Sequence, residues 1–168
     1  LDGTLLSGRN GSLLGFRYET YDGAQMTRYQ RSYNTQPLEW ALLDFDKPGL
    51  ANANTARAAS WSPALADMKA KRSSILLGLE LPNEARDTLG APRRVEMQLR
   101  PLDDTRIELA LVLRDKPANR MPEAGFLNVT PAGASSWDYR KMGMWQPGDR
   151  VAARGGGHLQ AATAVRGA

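Results

Sequence analysis

The chain has 168 residues, 42% of them apolar, with no cysteine, one histidine and a formal charge of +4. That length suits one domain or a large piece of a bigger one, and the composition rules out disulfides, thiolate metal sites and a His-rich zinc centre within the chain. The charge comes from seventeen Arg against five Lys, scattered except for Lys69-Ala70-Lys71-Arg72 and Arg93-Arg94. This describes a solvated surface, without the one-faced basic patch of a nucleic-acid binder, and no apolar run approaches the length of a bilayer span.

The first residues, Leu1-Asp2-Gly3-Thr4, include no initiator methionine and no signal-peptide core, and Ala164 to Ala168 reads as strand that simply stops. We therefore expect residues 1–168 to be a single sandwich domain or part of one, truncated at both ends from a larger multidomain protein. The lack of cysteine fits a bacterial secreted or periplasmic setting and a cytoplasmic one equally well.

Leu13 to Tyr21 alternates Phe16, Tyr18 and Thr20 against Arg17 and Glu19, the pattern of a half-buried strand. Asp22-Gly23 offers a turn or an N-cap, and Met26, Tyr29 and Tyr33 then recur at helical spacing, which predicts one short helix over Ala24 to Tyr33. From Asn34 to Pro63 the periodicity dissolves into Gln36-Pro37, Lys47-Pro48-Gly49 and Asn52-Ala53-Asn54. A long irregular stretch of this kind is expected to be a functional or interface loop, pinned by Trp40, Phe45 and Trp61. Ser74 to Leu81 reads as a strand. The clearest signal is a hairpin: Arg94 to Arg100 alternates throughout, Thr105 to Arg114 answers it with Ile107, Leu109, Leu111 and Leu113, and Pro101-Leu102-Asp103-Asp104 supplies turn chemistry. Its second face carries Glu96, Gln98, Arg106 and Glu108, so the sheet is covered on one side only. Gly125 to Thr130, Asp138 to Met144, Arg150 to Arg154 and His158 to Val165 complete seven or eight strands. Together with one helix they predict a mainly β, antiparallel β-sandwich.

Between the hairpin and the next strand lies Lys116-Pro117-Ala118-Asn119-Arg120-Met121-Pro122-Glu123-Ala124. Each proline fixes φ and removes a donor, so Lys116, Arg120 and Glu123 are expected to project from a corner of set shape. That corner holds a neighbouring domain, itself, or a ligand.

Little nucleophilic chemistry is open to these residues. A Ser-His-Asp triad has only His158 to draw on, and no Gly-x-Ser-x-Gly elbow presents a serine. Gly155-Gly156-Gly157 lacks a following Lys-Ser or Lys-Thr and reads as a turn or bulge. Glycoside chemistry needs two carboxyl groups, and Asp44, Asp46 and Glu123, in the two proline-anchored corners, are the candidates. The competing reading makes Asp46 with Lys47, and Lys116 or Arg120 with Glu123, ion pairs that brace loops. His158 beside three glycines is either approachable or a structural hydrogen-bonding group. Trp40, Trp61, Trp137 and Trp145 suit either sugar-stacking platforms or core anchors.

Several stretches taken in order carry a resemblance: Gly15 to Tyr21, Tyr29 to Tyr33, Asp44-Phe45-Asp46-Lys47-Pro48-Gly49-Leu50, Gly90-Ala91-Pro92-Arg93, Lys116 to Ala124, and Lys141-Met142-Gly143 before Trp145. Together they are similar to the C-terminal region of an uncharacterised group of large proteins like glycoside hydrolase family 38, the α-mannosidases. The Lys116 to Ala124 stretch is the most specific, and His158-Leu159-Gln160 departs from the pattern by lacking a second histidine. The resemblance implies a supersandwich of the galactose-mutarotase-like kind. It places the zinc ion and the nucleophilic aspartate on an absent N-terminal barrel, so no cofactor is expected in this chain and no catalytic residue carries over.

The expectation is thus a non-catalytic C-terminal β-sandwich, inactive alone, whose partners are the intramolecular catalytic domain and carbohydrate, with no nucleic acid and no membrane. Asp44, Asp46, Lys47, Lys116, Arg120, Glu123 and His158 are its ligand-binding or domain-interface residues. The alternatives are an independent carbohydrate-binding module and, more thinly, a mutarotase-like epimerase using His158 with a carboxylate.

Overall fold

The structure, a computed structural model, describes residues 14–33, 40, 47, 49–53, 55–104, 106–130, 135–150 and 162–167. Among them are ten strands, all in antiparallel pairings where the pairing is defined, and two short α-helices. The mainly β, antiparallel architecture expected from the alternation is present. No helix of the described residues is long and apolar enough to cross a membrane. The chain divides into two compact units: Leu14–Tyr21 with Ala53–Asn128, and Asp22–Asn52 with Val129–Ala168.

The first unit is a two-layer sandwich. One layer has β1 (Leu14–Thr20) between β2 (Ala59–Trp61) and β7 (Glu123–Val129). The other runs β3 (Ala64–Lys71), β4 (Ser74–Glu80), β5 (Arg94–Pro101), β6 (Ile107–Arg114). Alternation in β1 buries Phe16, Tyr18 and Thr20, and the Thr20 hydroxyl donates to the Arg57 carbonyl at 2.7 Å. In the second layer, pairing of Val95 with Leu113, Met97 with Leu111 and Leu99 with Leu109 collects the apolar side chains on one face. Val95 and Met97 meet Phe16 and Tyr18 across the layers, with Leu81, Ala85 and Ala91. Each of these large side chains contributes about 1.5–3 kcal/mol by leaving water.

The opposite face is charged. Arg94 bonds Asp67 at 2.6 Å, Arg114 bonds Glu96 at 3.0 Å and Arg100 bonds Glu108 at 2.7 Å. Arg94 fills the space over Gly78, where a Cβ would stand 1.9 Å from its Nη2. The expected polar-face residue Arg106 instead precedes the strand and pairs with Asp103 in the turn at 2.6 Å.

Three elements escape a reading by periodicity. β2 has three residues. β3 is Ala-Leu-Ala-Asp-Met-Lys-Ala-Lys, poor in β-branched residues and broken by a bulge between Leu65 and Asp67. The second helix, α2 (Asn83–Thr88), has six residues, too few for a repeat. It buries Ala85 completely, and the chain then returns through Ala91, whose N–H donates to the Ala85 carbonyl at 3.0 Å.

In the second unit α1 (Gly23–Tyr33) starts where expected, with Asp22 as its cap: the Gln25 N–H donates to Asp22 Oδ1 at 2.8 Å. A 3-10 turn, Leu50–Asn52, buries Leu50. The predicted strand from Asp138 to Met144 is in fact a hairpin, β8 (Trp137–Lys141) and β9 (Met144–Pro147). Met142 at φ 51° and Gly143 at φ 82° make its two-residue turn, a left-handed pair that such hairpins require. β10 (Ala164–Gly167) pairs with the other side of β8, and a 3-10 turn at Gly148–Arg150 follows β9. Of the expected loop anchors, Trp61 packs against the core of the first unit, Trp40 is 66% exposed, and Phe45 lies outside the described residues.

Candidate functional site

The proline-anchored corner belongs wholly to the first unit. Asp115, at φ 51°, turns the chain out of β6, and the corner ends where Glu123 starts β7. Because β7 neighbours β1, Glu123 at its start reaches the buried hydroxyl of Tyr18, which hydrogen-bonds its Oε2. Lys116 Nζ donates to the other oxygen, Oε1, at 2.7 Å, and to the Pro117 carbonyl at 3.0 Å. Asn119 sits between them. Its Nδ2 donates to Glu123 Oε2 at 3.2 Å and to the Leu89 carbonyl at 2.8 Å, while its Oδ1 accepts the Met121 N–H at 2.9 Å. Tyr18 Oη also lies 3.1 Å from the Leu89 carbonyl, so its single proton is offered to two acceptors.

Gly90 makes this convergence possible. Its φ of +75° is the left-handed region, and a Cβ there would stand 2.9 Å from Asn119 Nδ2. The corner is tied to β1 once more, by the Tyr21 N–H donating to the Pro122 carbonyl at 3.1 Å. Burial, then the Glu123 carboxylate, raise the Tyr18 phenol well above the ordinary tyrosine value. Burial, then Glu19, push Tyr21 up to about 12. Both phenols therefore remain neutral donors far into the alkaline range.

With both carboxylate oxygens of Glu123 occupied by Lys116, Tyr18 and Asn119, the arrangement is a strut that joins β1, the Leu89-Gly90 turn and the corner. Of the residues expected to act together, Lys116 and Glu123 meet. Arg120 is exposed and makes no ion pair among the described residues. Lys47 is exposed and belongs to the second unit; Asp44, Asp46 and His158 lie outside the described residues. Among the described residues no three or more His, Cys, Asp or Glu side chains converge as metal ligands.

Sequence reasoning missed Tyr18 and Asn119 as members of this cluster. Tyr18 had a signal: a tyrosine on the buried face of a strand must find a partner for its hydroxyl. Asn119 had none, since its partners come from Leu89 and Glu123 on either side of a hairpin.

Three of the stretches that carry the resemblance thus meet at one point: Tyr18 from Gly15 to Tyr21, Gly90 from Gly90 to Arg93, and Asn119 with Glu123 from Lys116 to Ala124. Neither the curated proteins nor the solved structures include a match to the chain. Residues 2–108 match a family described as Domain of unknown function (DUF5054), a span that includes Tyr18 and Gly90 and stops short of Lys116. On that match, which covers more than half of its length, the chain belongs to the DUF5054 family.

Proposed function

We propose that this chain is the non-catalytic β-sandwich portion of a glycoside hydrolase of the α-mannosidase-like kind, docked against a catalytic domain that precedes it. The observation that carries the reading is the apolar face of the four-stranded sheet. Its centre is sealed, with Val95 and Met97 at 0% and 2% exposure. The outer strands are left open: Leu65 and Met68 on β3 are 60% and 61% exposed, and Ile107 and Leu113 on β6 are 45% and 42%. A layer whose central strand is flanked by a three-residue strand on one side is too narrow to cover four strands. Apolar flanks of this kind on a folded sheet mark a surface that another domain covers. The strut at Glu123 supports the same reading, since a carboxylate engaged by three donors holds shape and is not poised for acid–base work.

The test pairs this chain with the longer protein on a panel of chromogenic glycosides, with and without a chelator. Activity in the longer protein alone, lost with the chelator, is the expected result; activity of the chain by itself overturns the division of labour. Met68→Asp addresses docking separately. It should leave the chain's own stability within about 0.5 kcal/mol, as an exposed substitution does, and lower the melting temperature of the longer protein.

A further inference from the structure

The second unit carries a cleft that the docking role does not use. It has a volume of about 480 Å³ and is lined by Ser136, Trp137, Asp138, Pro147, Gly148 and Asp149, a size within the usual range of about 300–1,000 Å³ for small-molecule sites. The β8–β9 hairpin builds it. Pairing of Asp138 with Pro147 closes the strands, and Gly148 then presses so close to Trp137 that a Cβ would meet the Trp137 carbonyl at 2.5 Å. Trp137 keeps 37% of its surface exposed. Arg166, on β10, donates from Nε and Nη2 to the same oxygen of Asp138, Oδ2, at 3.0 and 2.9 Å, and is itself stacked on Trp145 at 4.4 Å. Asp138 is thereby held in one orientation, and among the described residues its Oδ1 accepts no bond and Asp149 makes no ion pair.

An aromatic ring beside one oriented carboxylate, a second, exposed carboxylate and a serine hydroxyl suits a ligand with one apolar face and a rim of hydroxyl donors. Phosphate and nucleic acid are disfavoured by two carboxylates. An ammonium ligand would find only Asp149 uncompensated, because Arg166 already neutralises Asp138 and would face the second cation. A neutral polyhydroxylated ring meets none of these penalties. We propose that the cleft binds a saccharide, Trp137 stacking on the C–H face of the sugar ring while Asp149 and Oδ1 of Asp138 accept its hydroxyl protons. This stands independently of the docking role: it requires neither the catalytic domain nor the apolar flanks of the four-stranded sheet.

The test is tryptophan fluorescence and calorimetric titration of the chain with the methyl glycosides of mannose, glucose and galactose, and with tetramethylammonium as the cationic probe. Saturable binding of at least one glycoside is expected. Trp137→Ala should weaken it about tenfold or more and Asp149→Asn about threefold to tenfold, the loss of a stacked ring and of one charged acceptor. Trp40→Ala, exposed and outside the cleft, should leave it unchanged. Asp149→Asn is a surface change that keeps the test open should Trp137→Ala fail to fold. Absence of glycoside binding, binding indifferent to both cleft variants, or binding of tetramethylammonium alone would each overturn the proposal.

Discussion

The Glu123 corner and the Trp137 cleft are assembled from the same kinds of side chain, an acid, a base and an aromatic, and reach opposite ends. In the corner Tyr18 is 2% exposed, and both oxygens of Glu123 accept bonds from protein donors. In the cleft Trp137 is 37% exposed, and Arg166 engages one oxygen of Asp138 only. A carboxylate with both oxygens engaged by protein donors adds stability and has little to offer a ligand. One that is fixed in place but incompletely matched keeps binding capacity at low reorganisation cost. The two sites therefore separate a stabilising role from a recognition role, each within its own compact unit.

The largest effect that would break this comparison lies beneath the corner. Phe16→Ala removes a ring that stands 3.3 Å from the Cβ position of Gly125 and packs on the Val95 and Met97 layer. The expected cost is about 4 kcal/mol in urea unfolding, the range for burying no ring where one was packed. A loss below about 1 kcal/mol would mean that the two layers do not share this core.

Next comes the strut. Glu123→Gln leaves Lys116 without its counter-ion at a site where both side chains are about three-quarters covered, and should cost about 2 kcal/mol. Adding Lys116→Met to that variant should cost little more, because the pair acts as a unit; additive losses would show that the two groups do not interact. Alkaline titration reads the same region differently. A phenol whose folded value is raised holds its proton more tightly when folded, so its contribution is complete below the ordinary value of 10.0 and fades as pH rises through the folded value, about 12 for Tyr21. Absorbance of ionised tyrosine should therefore show Tyr18 and Tyr21 titrating late, with stability falling from pH 10 upward. In Tyr18→Phe one late group should disappear.

How far these sites were legible follows from the range of the interactions. The β5–β6 hairpin, β1, β4 and the Asp22-capped helix α1 carry their pattern within their own residues, and alternation or capping chemistry reveals them. β3 does not reveal itself, because alanine and lysine hide its period and it is a strand only through pairing with β4. Lys116 with Glu123 was visible as opposite charges on one corner, whereas the Tyr18 partner is 105 residues away. In the cleft, Trp137 was noticed and its partners Asp138 and Asp149 were not, since the turn at Met142-Gly143 that folds β9 back on β8 went unread.

Gly78→Ala sharpens the comparison on the charged face. The new methyl group meets the far ends of both Arg94 and Asp67, movable side chains, so the backbone can stay while their ion pair is displaced. About 1 kcal/mol is expected for a partly exposed pair, and almost nothing in an Asp67→Ala background, where that bond is already gone.

The smallest expected effect is the most discriminating for the corner. Arg120 shares the proline-anchored turn with Lys116 and Glu123, yet it is exposed and makes no ion pair among the described residues. Arg120→Ala should leave the urea midpoint of the chain within about 0.5 kcal/mol, in contrast to Glu123→Gln. The turn's shape is set by Pro117, Pro122 and the bonds of Asn119 and Glu123, none of which passes through the Arg120 side chain. A cation held on a rigid turn without an ion-pair partner among the described residues is available to an acidic surface or ligand at little entropic cost. A lowered melting temperature or turnover in the proposed parent hydrolase, with the isolated chain unchanged, would assign Arg120 to a contact outside this sandwich. An equal loss in both would return it to the strut and erase the distinction between the corner's inward and outward charges.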